Sequence, residues 1–294
     1  MKKIFSLCNQ KGGVGKTTTA VNLATLVAKA GYKTLLIDMD SQGNATSGLG
    51  VDKAELQSTS YQLLVDNQSV RDIVIKTDIK KLDLIPANTD LSGADLELVN
   101  ADKREYVLSG RLQEIQGDYD FIFIDCPPSL GLVTINCLTA SHFLLIPLQC
   151  EYYALEGLGQ LLHTFQLVKD NLNEGLEVGG VLLTMADFRT NLTQQVIEEV
   201  KGYFKEKVFE AIIPRSVKLS EAPSFGKPAV LYDAQNKASK SYVAMGKEFL
   251  KRFVDKSETS KSNAEKQSSD EKSDTGQTAP DAVKAVIQTE GAAQ

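Results

Sequence analysis

The chain of 294 residues contains no Trp, two His and four Cys. His142 and His163 stand far from one another, and Cys8, Cys126, Cys137 and Cys150 show no Cys-x-x-Cys spacing, so neither a zinc site nor a disulfide framework is expected. Reduced thiols packed in the core of an intracellular protein are the simpler account. Long apolar runs are also missing. No stretch approaches the roughly 20 residues that span a bilayer. Met1-Lys2-Lys3 leads into only about five apolar or small residues before Asn9, too few for a signal peptide. A cytoplasmic protein is expected. Positive charge is in deficit, with 32 Lys and Arg against 38 Asp and Glu and a net charge of -6, which argues against a uniformly basic nucleic-acid coat.

What is present is enough apolar content, 42%, to bury one sizeable core or two. Short apolar runs at Ile4–Cys8, Thr34–Asp38, Leu82–Pro86, Phe121–Asp125, Phe143–Pro147 and Val178–Thr184 read as strands. Most are continuous Ile, Leu, Val and Phe, as a sheet covered on both faces requires. Helical periodicity fits Lys16–Ala30, Arg104–Ile115, Leu130–Ala140, Ala154–Asn171, Leu192–Lys205 and Lys237–Val254. The expected fold is α/β, a mostly parallel twisted sheet with helices on both faces, in one domain over residues 1–254. From Asp255 to Gln294 the composition turns to Ser, Lys, Glu, Asp, Gln and Thr, with Val283, Val286 and Ile287 the only large aliphatics. Such a segment buries too little to offset its ordering entropy and is expected to be a disordered tail, with a marginal helix at Asp281–Glu290.

Charge is unevenly divided. Residues 1–200 carry 16 basic and 25 acidic side chains, whereas residues 201–252 carry 11 and 5. A basic surface on the last third of the domain is compatible with the acidic total.

The strand at Ile4–Cys8 runs into Asn9-Gln10-Lys11-Gly12-Gly13-Val14-Gly15-Lys16-Thr17-Thr18, which opens a helix. Strand, glycine-rich loop and helix in that order converge backbone N–H groups on phosphate oxygens at a helix N-terminus. Lys16 is expected to reach the β and γ phosphates of ATP, and the Thr17 hydroxyl to ligate Mg2+. Two further strands end in acids. Leu35-Leu36-Ile37-Asp38-Met39-Asp40 places Asp38 and Asp40 on the same side by strand alternation, and Phe121-Ile122-Phe123-Ile124-Asp125 reads as a Walker B strand whose Asp125 holds Mg2+, through water.

The loop departs from the ordinary Walker A pattern, with Gln10 where a glycine is usual and a second lysine, Lys11, beside it. Lys-Gly-Gly-Val-Gly-Lys-Thr-Thr resembles the deviant Walker A loop of the ParA/MinD ATPase family, which implies a P-loop NTPase-like fold. The resemblance extends over nearly all of residues 1–254. The runs from Pro147 to Leu158 and from Ile213 to Ser224 are similar to the ParA, or Soj, chromosome-partitioning branch. It implies a weak, partner-stimulated and Mg2+-dependent ATPase that forms a nucleotide-sandwiched homodimer. In it Lys11 reaches the phosphates of the other subunit, Asp40 orients the attacking water and Asp38 belongs to the Mg2+ environment. Gly12, Gly13, Val14, Gly15, Lys16, Thr17 and Thr18 cradle the phosphates, Pro214 and Arg215 border the adenine, and Glu151 is a dimer contact beside the nucleotide. Arg189 and Lys218 fall at the family's contacts to non-specific DNA, although Lys218 stands where an arginine is more usual and lacks the bidentate fork. Lys201, Lys205, Lys237, Lys240, Lys247 and Arg252 are weaker candidates. A ParB/Spo0J-like centromere-binding partner and a nucleoid location are implied. With the loop at Lys11, the N-terminal helix-turn-helix domain that some plasmid relatives carry is not expected, nor is operator-specific repression.

The nitrogenase iron protein is also a relative, but Cys126 has no evident cluster-ligand companions. Two other readings keep the ATPase cycle and change its target. One is a MinD-like membrane switch, for which Val243, Met245, Phe249, Leu250, Phe253 and Val254 would form the apolar face of an amphipathic helix. The other is a positioning factor for a protein assembly. A nucleotide-binding module without turnover is disfavoured because Lys11, Lys16, Asp40 and Asp125 are all present. No stable membrane association is expected.

Overall fold

The computed structural model describes residues 3–254 except 116, 152 and 153, without the side chains of 154–156. The tail from Asp255 and the helix expected at Asp281–Glu290 lie outside the described residues.

Among the described residues seven strands form one sheet: β1 (Lys3–Leu7), β2 (Thr34–Asp38), β3 (Ile75–Lys76), β4 (Leu82–Ile85), β5 (Phe121–Asp125), β6 (Phe143–Gln149) and β7 (Glu177–Thr184). Their order is β3-β4-β2-β5-β1-β6-β7. All neighbours are parallel except the two-residue edge strand β3, which runs antiparallel to β4. The six expected strands all form, with ends shifted by at most two residues.

Alternation along the strands splits the core into two. Ile4, Leu35, Ile37, Ile122, Ile124, Leu144 and Ile146 point into an aliphatic layer, whereas Phe5, Leu7, Leu36, Phe121, Phe123 and Leu145 point into the other. The helices that matter below are α1 (Lys16–Lys29), α2 (Asn44–Gly48), α3 (Val107–Leu112), α4 (Leu132–Thr139), α5 (Ala154–Asn171), α6 (Asn191–Phe204), α7 (Val217–Glu221) and α8 (Lys237–Phe253). Residues of α3, α4, α5 and α6 cover the aliphatic face. Those of α1 and α8 cover the other.

The face under α1 and α8 is largely aromatic. Phe5 lies at its centre, with ring centroids 5.5 Å from Phe123, 5.1 Å from Phe143, 4.9 Å from Phe249 and 4.8 Å from Phe253. Ala238, Tyr242, Met245, Phe249 and Phe253 recur at helical spacing and are buried. The apolar face that a membrane-bound helix would need is therefore consumed by the core, which corrects the membrane-switch reading of α8. Val243, Leu250 and Val254 pack partly buried against the same cluster. Among the described residues no helix is long and apolar enough to cross a membrane.

The helix expected over Arg104–Ile115 starts three residues late. The bond from Leu108 N–H to the Arg104 carbonyl is replaced by the side-chain amide of Asn136: its Nδ2 donates to Arg104 O (2.7 Å), and its Oδ1 accepts from Leu108 N (3.1 Å). Asn136 is fully buried on α4, so tertiary packing sets this helix start.

Candidate nucleotide site

Parallel strands bring the loops after β1, β2, β5 and β7 to one edge of the sheet, the edge where ligands of open α/β folds bind. The loop after β1 is held by its own side chains. Asn9 Nδ2 donates to Pro147 O (2.8 Å), and Asn9 Oδ1 accepts from Lys11 N (3.0 Å). Val14 is fully buried, and its carbonyl accepts from Thr184 Oγ1 on β7 (2.8 Å). Gly15, at φ 89°, turns the chain into α1, a conformation that costs a residue with a side chain strain. No side chain caps α1, so its first N–H groups remain available to an anion.

Beside this loop opens a cavity of about 590 Å3 lined by Gly12, Gly13, Gly15, Lys16, Thr17, Thr18, Asp40, Pro214 and Arg215. Nine of the sequence candidates thus meet at one place. Asn44, Pro128, Thr184 and Met185 join them, as do Val217, Leu219, Ser220, Ala222 and Pro223 on and after α7. These were missed at the sequence level. Thr184 and Met185 had a signal, since they stand at the carboxyl end of an expected strand, and Val217 to Pro223 fall within the run from Ile213 to Ser224 that carries the resemblance, though no helical period marks α7.

Lys16 is 6% exposed and donates to Lys11 O (3.2 Å); burial pushes its ammonium below the usual lysine range, and the charge of Asp125 is the main opposing influence. Lys11 is not part of the lining. Its Nζ pairs with Glu151 Oε2 (3.0 Å), while Glu151 Oε1 accepts from Gln149 Nε2 (2.5 Å).

Asp38, the last residue of β2, and Asp40 just past it, expected to face the ligand together, are placed differently. Asp40 is half-buried and lines the cavity, its Oδ1 accepting from Gln42 N (3.0 Å). Asp38 is fully buried, and both of its oxygens are engaged. Oδ2 accepts from Thr46 N (2.8 Å) and Thr46 Oγ1 (2.7 Å), and Oδ1 accepts from Asp40 N (3.2 Å). Burial pushes its carboxyl up to about 6 in spite of these bonds. Asp38 thereby anchors α2 and the turn that carries Asp40.

Asp125 is opposite in character. It is fully buried, and neither oxygen has a hydrogen-bond partner of good geometry. Burial, then the neighbouring Asp38 charge, raise its pKa well above the carboxylate range, while the Thr17 hydroxyl and the Lys16 ammonium favour the charged form. An orphaned buried carboxylate next to a threonine hydroxyl at a phosphate loop fits a divalent cation. All four cysteines are buried and free. Among the described residues no group of three or more His, Cys, Asp or Glu is arranged to hold a metal.

Arg189 and Lys218, the expected DNA contacts, are exposed to solvent but paired. Arg189 Nε and Nη2 grip Asp187 (2.8 and 2.5 Å), and Lys218 Nζ lies 2.8 Å from Glu221 Oε2.

The chain matches the AAA domain family over residues 2–178. It is 54% identical over 255 residues to the chromosome partitioning protein ParA of Myxococcus xanthus, covering 87% of this chain and 90% of the relative. With the sporulation initiation inhibitor protein Soj of Bacillus subtilis it shares 56% identity over 248 residues, 84% and 98% of the two chains. The chain belongs to the ParA/Soj family. A family likeness extends to solved structures: cobyrinic acid a,c-diamide synthase from Mycobacterium smegmatis with bound ADP and magnesium superposes with a TM-score of 0.76 at 34% identity, covering 86% of this chain and 96% of that one.

Proposed function

We propose that this chain is an ATP-driven partitioning switch: it binds ATP and Mg2+, dimerises, holds DNA without sequence preference in that state, and lets go after slow hydrolysis stimulated by a ParB-like partner. The observation that carries the proposal is the convergence on one cavity of the phosphate loop, Asp40 and the extended Pro214-Arg215 segment, with the partly exposed Lys11 outside the cavity lining.

In this reading the N–H groups of Gly12 to Thr18 and the Lys16 ammonium hold the β and γ phosphates. Thr17 and Asp125 hold Mg2+, with Asp38 in its surroundings fixing α2. The metal supplies charge neutralisation on the triphosphate. Asp40 accepts a hydrogen bond from the attacking water and so orients it, a task that needs position rather than strong basicity. Pro214 and Arg215 border the base. Lys11 leaves Glu151 and supplies its charge to the partner subunit's nucleotide, which makes hydrolysis depend on dimerisation. Glu151 is then free to contact the partner. Arg189 and Lys218 bind backbone phosphate, alongside the lysines of residues 201–252. A nucleoid location follows from DNA binding.

Mobility shifts with duplex DNA test the proposal, using wild type, Lys16→Ala and Asp40→Ala without nucleotide, with ADP and with ATP at two salt concentrations. Wild type is expected to bind only with ATP, Asp40→Ala to bind more persistently and Lys16→Ala not to bind. ATP-driven dimers that ignore DNA would move the proposal to a protein cargo.

A further inference from the structure

Helix α7 has two roles in the structure. Leu219 and Ser220, with Ala222 just after it, line the nucleotide cavity, while Lys218 and Glu221 are absent from that lining. Those two stand three residues apart, one helical turn, and pair at 2.8 Å with 42% and 38% of their side chains exposed. Glu221 is also held from a second side: Tyr232 Oη donates to its Oε2 at 3.3 Å. The Tyr232 ring lies 5.8 Å from Lys218 Nζ and stacks on Phe225 at 4.9 Å. The ammonium therefore rests between a carboxylate and an aromatic face.

A carboxylate so placed acts on an incoming phosphate in two ways. It occupies a donor of the lysine, and its charge repels the nucleic-acid backbone at short range. We propose that Glu221 sets the DNA affinity of this chain by competing with backbone phosphate for the Lys218 ammonium. The proposal rests on the DNA-binding role assigned above to Lys218. The competitor is weak, because the pair is exposed, so DNA displaces it without a large cost. A weak competitor suits a protein that must release DNA once per nucleotide cycle.

The test is a double-mutant cycle on the full chain. Fluorescence anisotropy with labelled duplex DNA and ATP is measured for wild type, Glu221→Gln, Lys218→Ala and the double variant, with Arg189→Ala as a separate reporter of DNA contact. Glutamine still accepts from Tyr232 and keeps the packing, and thermal unfolding of each variant with and without ATP checks that the fold and the cavity persist. Glu221→Gln is expected to tighten DNA binding about two- to fivefold when Lys218 is present, and clearly less in the Lys218→Ala background, where only the direct repulsion is relieved. Glu221→Ala is expected to act in the same direction. If Lys218→Ala binds more weakly but Glu221→Gln binds no tighter, or tightens equally without Lys218, the competition is wrong and the DNA reading stands. If Lys218→Ala and Arg189→Ala both bind DNA as wild type does, the reading of the surface falls, and the competition with it.

Discussion

At the scale of single residues the site is a set of carboxylates separated by what satisfies them. Asp38 has three protein donors, Asp40 has one and faces the cavity, and Asp125 has no good one. The prediction for Asp125 follows from sign. Its folded pKa is raised, so above the unfolded value of about 4 the unfolded chain ionises first, and stability falls as pH rises toward the folded value. Asp125→Asn has no such loss. Without nucleotide or Mg2+ it is expected to be more stable than wild type by about 1–3 kcal/mol at neutral pH and to lose that advantage near pH 4, read as the difference in thermal midpoints. With ATP and Mg2+ the order reverses, because the variant gains less from ligand. The motif Asp-Met-Asp was legible in the sequence, and so was the strand that carries it. The division of labour was not, because alternation fixes direction but not whether a later segment, here Thr46 on α2, folds back to take one carboxylate.

At the scale of elements, strands and long helices were readable because each has a continuous apolar run or a clear helical face. Shorter pieces were not. α7 and β3 have five and two residues, below the length at which a period can be counted. The start of α3 depends on Asn136, distant in sequence, and no local pattern contains that information. Asn136→Ala is expected to leave Leu108 N unpaired in a buried place and to lower stability by about 1–3 kcal/mol, measured by urea unfolding. The amphipathic pattern of α8 was ambiguous by its nature, since a helix that packs on a sheet and one that lies on a membrane bury the same face. The aromatic cluster resolves it. Phe249 is fully buried among Phe5, Phe121, Phe123 and Phe253, so Phe249→Ala is expected to cost about 3–5 kcal/mol in stability. Wild type is expected not to co-sediment with anionic liposomes, with or without ATP.

For the whole molecule the proposed switch raises the question of what a second chain would contribute. Lys16 is buried in the lining of the cavity, whereas Lys11, five residues earlier on the same loop, is turned away to Glu151 and lines no part of it. Both partners of that ion pair are more than a third exposed, so the hold is weak and its release costs at most about 1 kcal/mol. In the proposed dimer a triphosphate near Lys11 would offer a far denser negative charge than one carboxylate, which would favour the exchange. Dimerisation should then depend on ATP and on Lys11 together, while ATP binding by one chain should depend on Lys16 and not on Lys11. Size-exclusion chromatography with light scattering separates these requirements: with ATP and Mg2+, Asp40→Ala is expected to run at twice the monomer mass, and the Lys11→Ala, Asp40→Ala double variant at the monomer mass. Equilibrium binding of a fluorescent ATP analogue should be nearly equal for the two. A double variant that still dimerises would show that the first lysine is dispensable for closing the pair, and its role would then lie in hydrolysis alone.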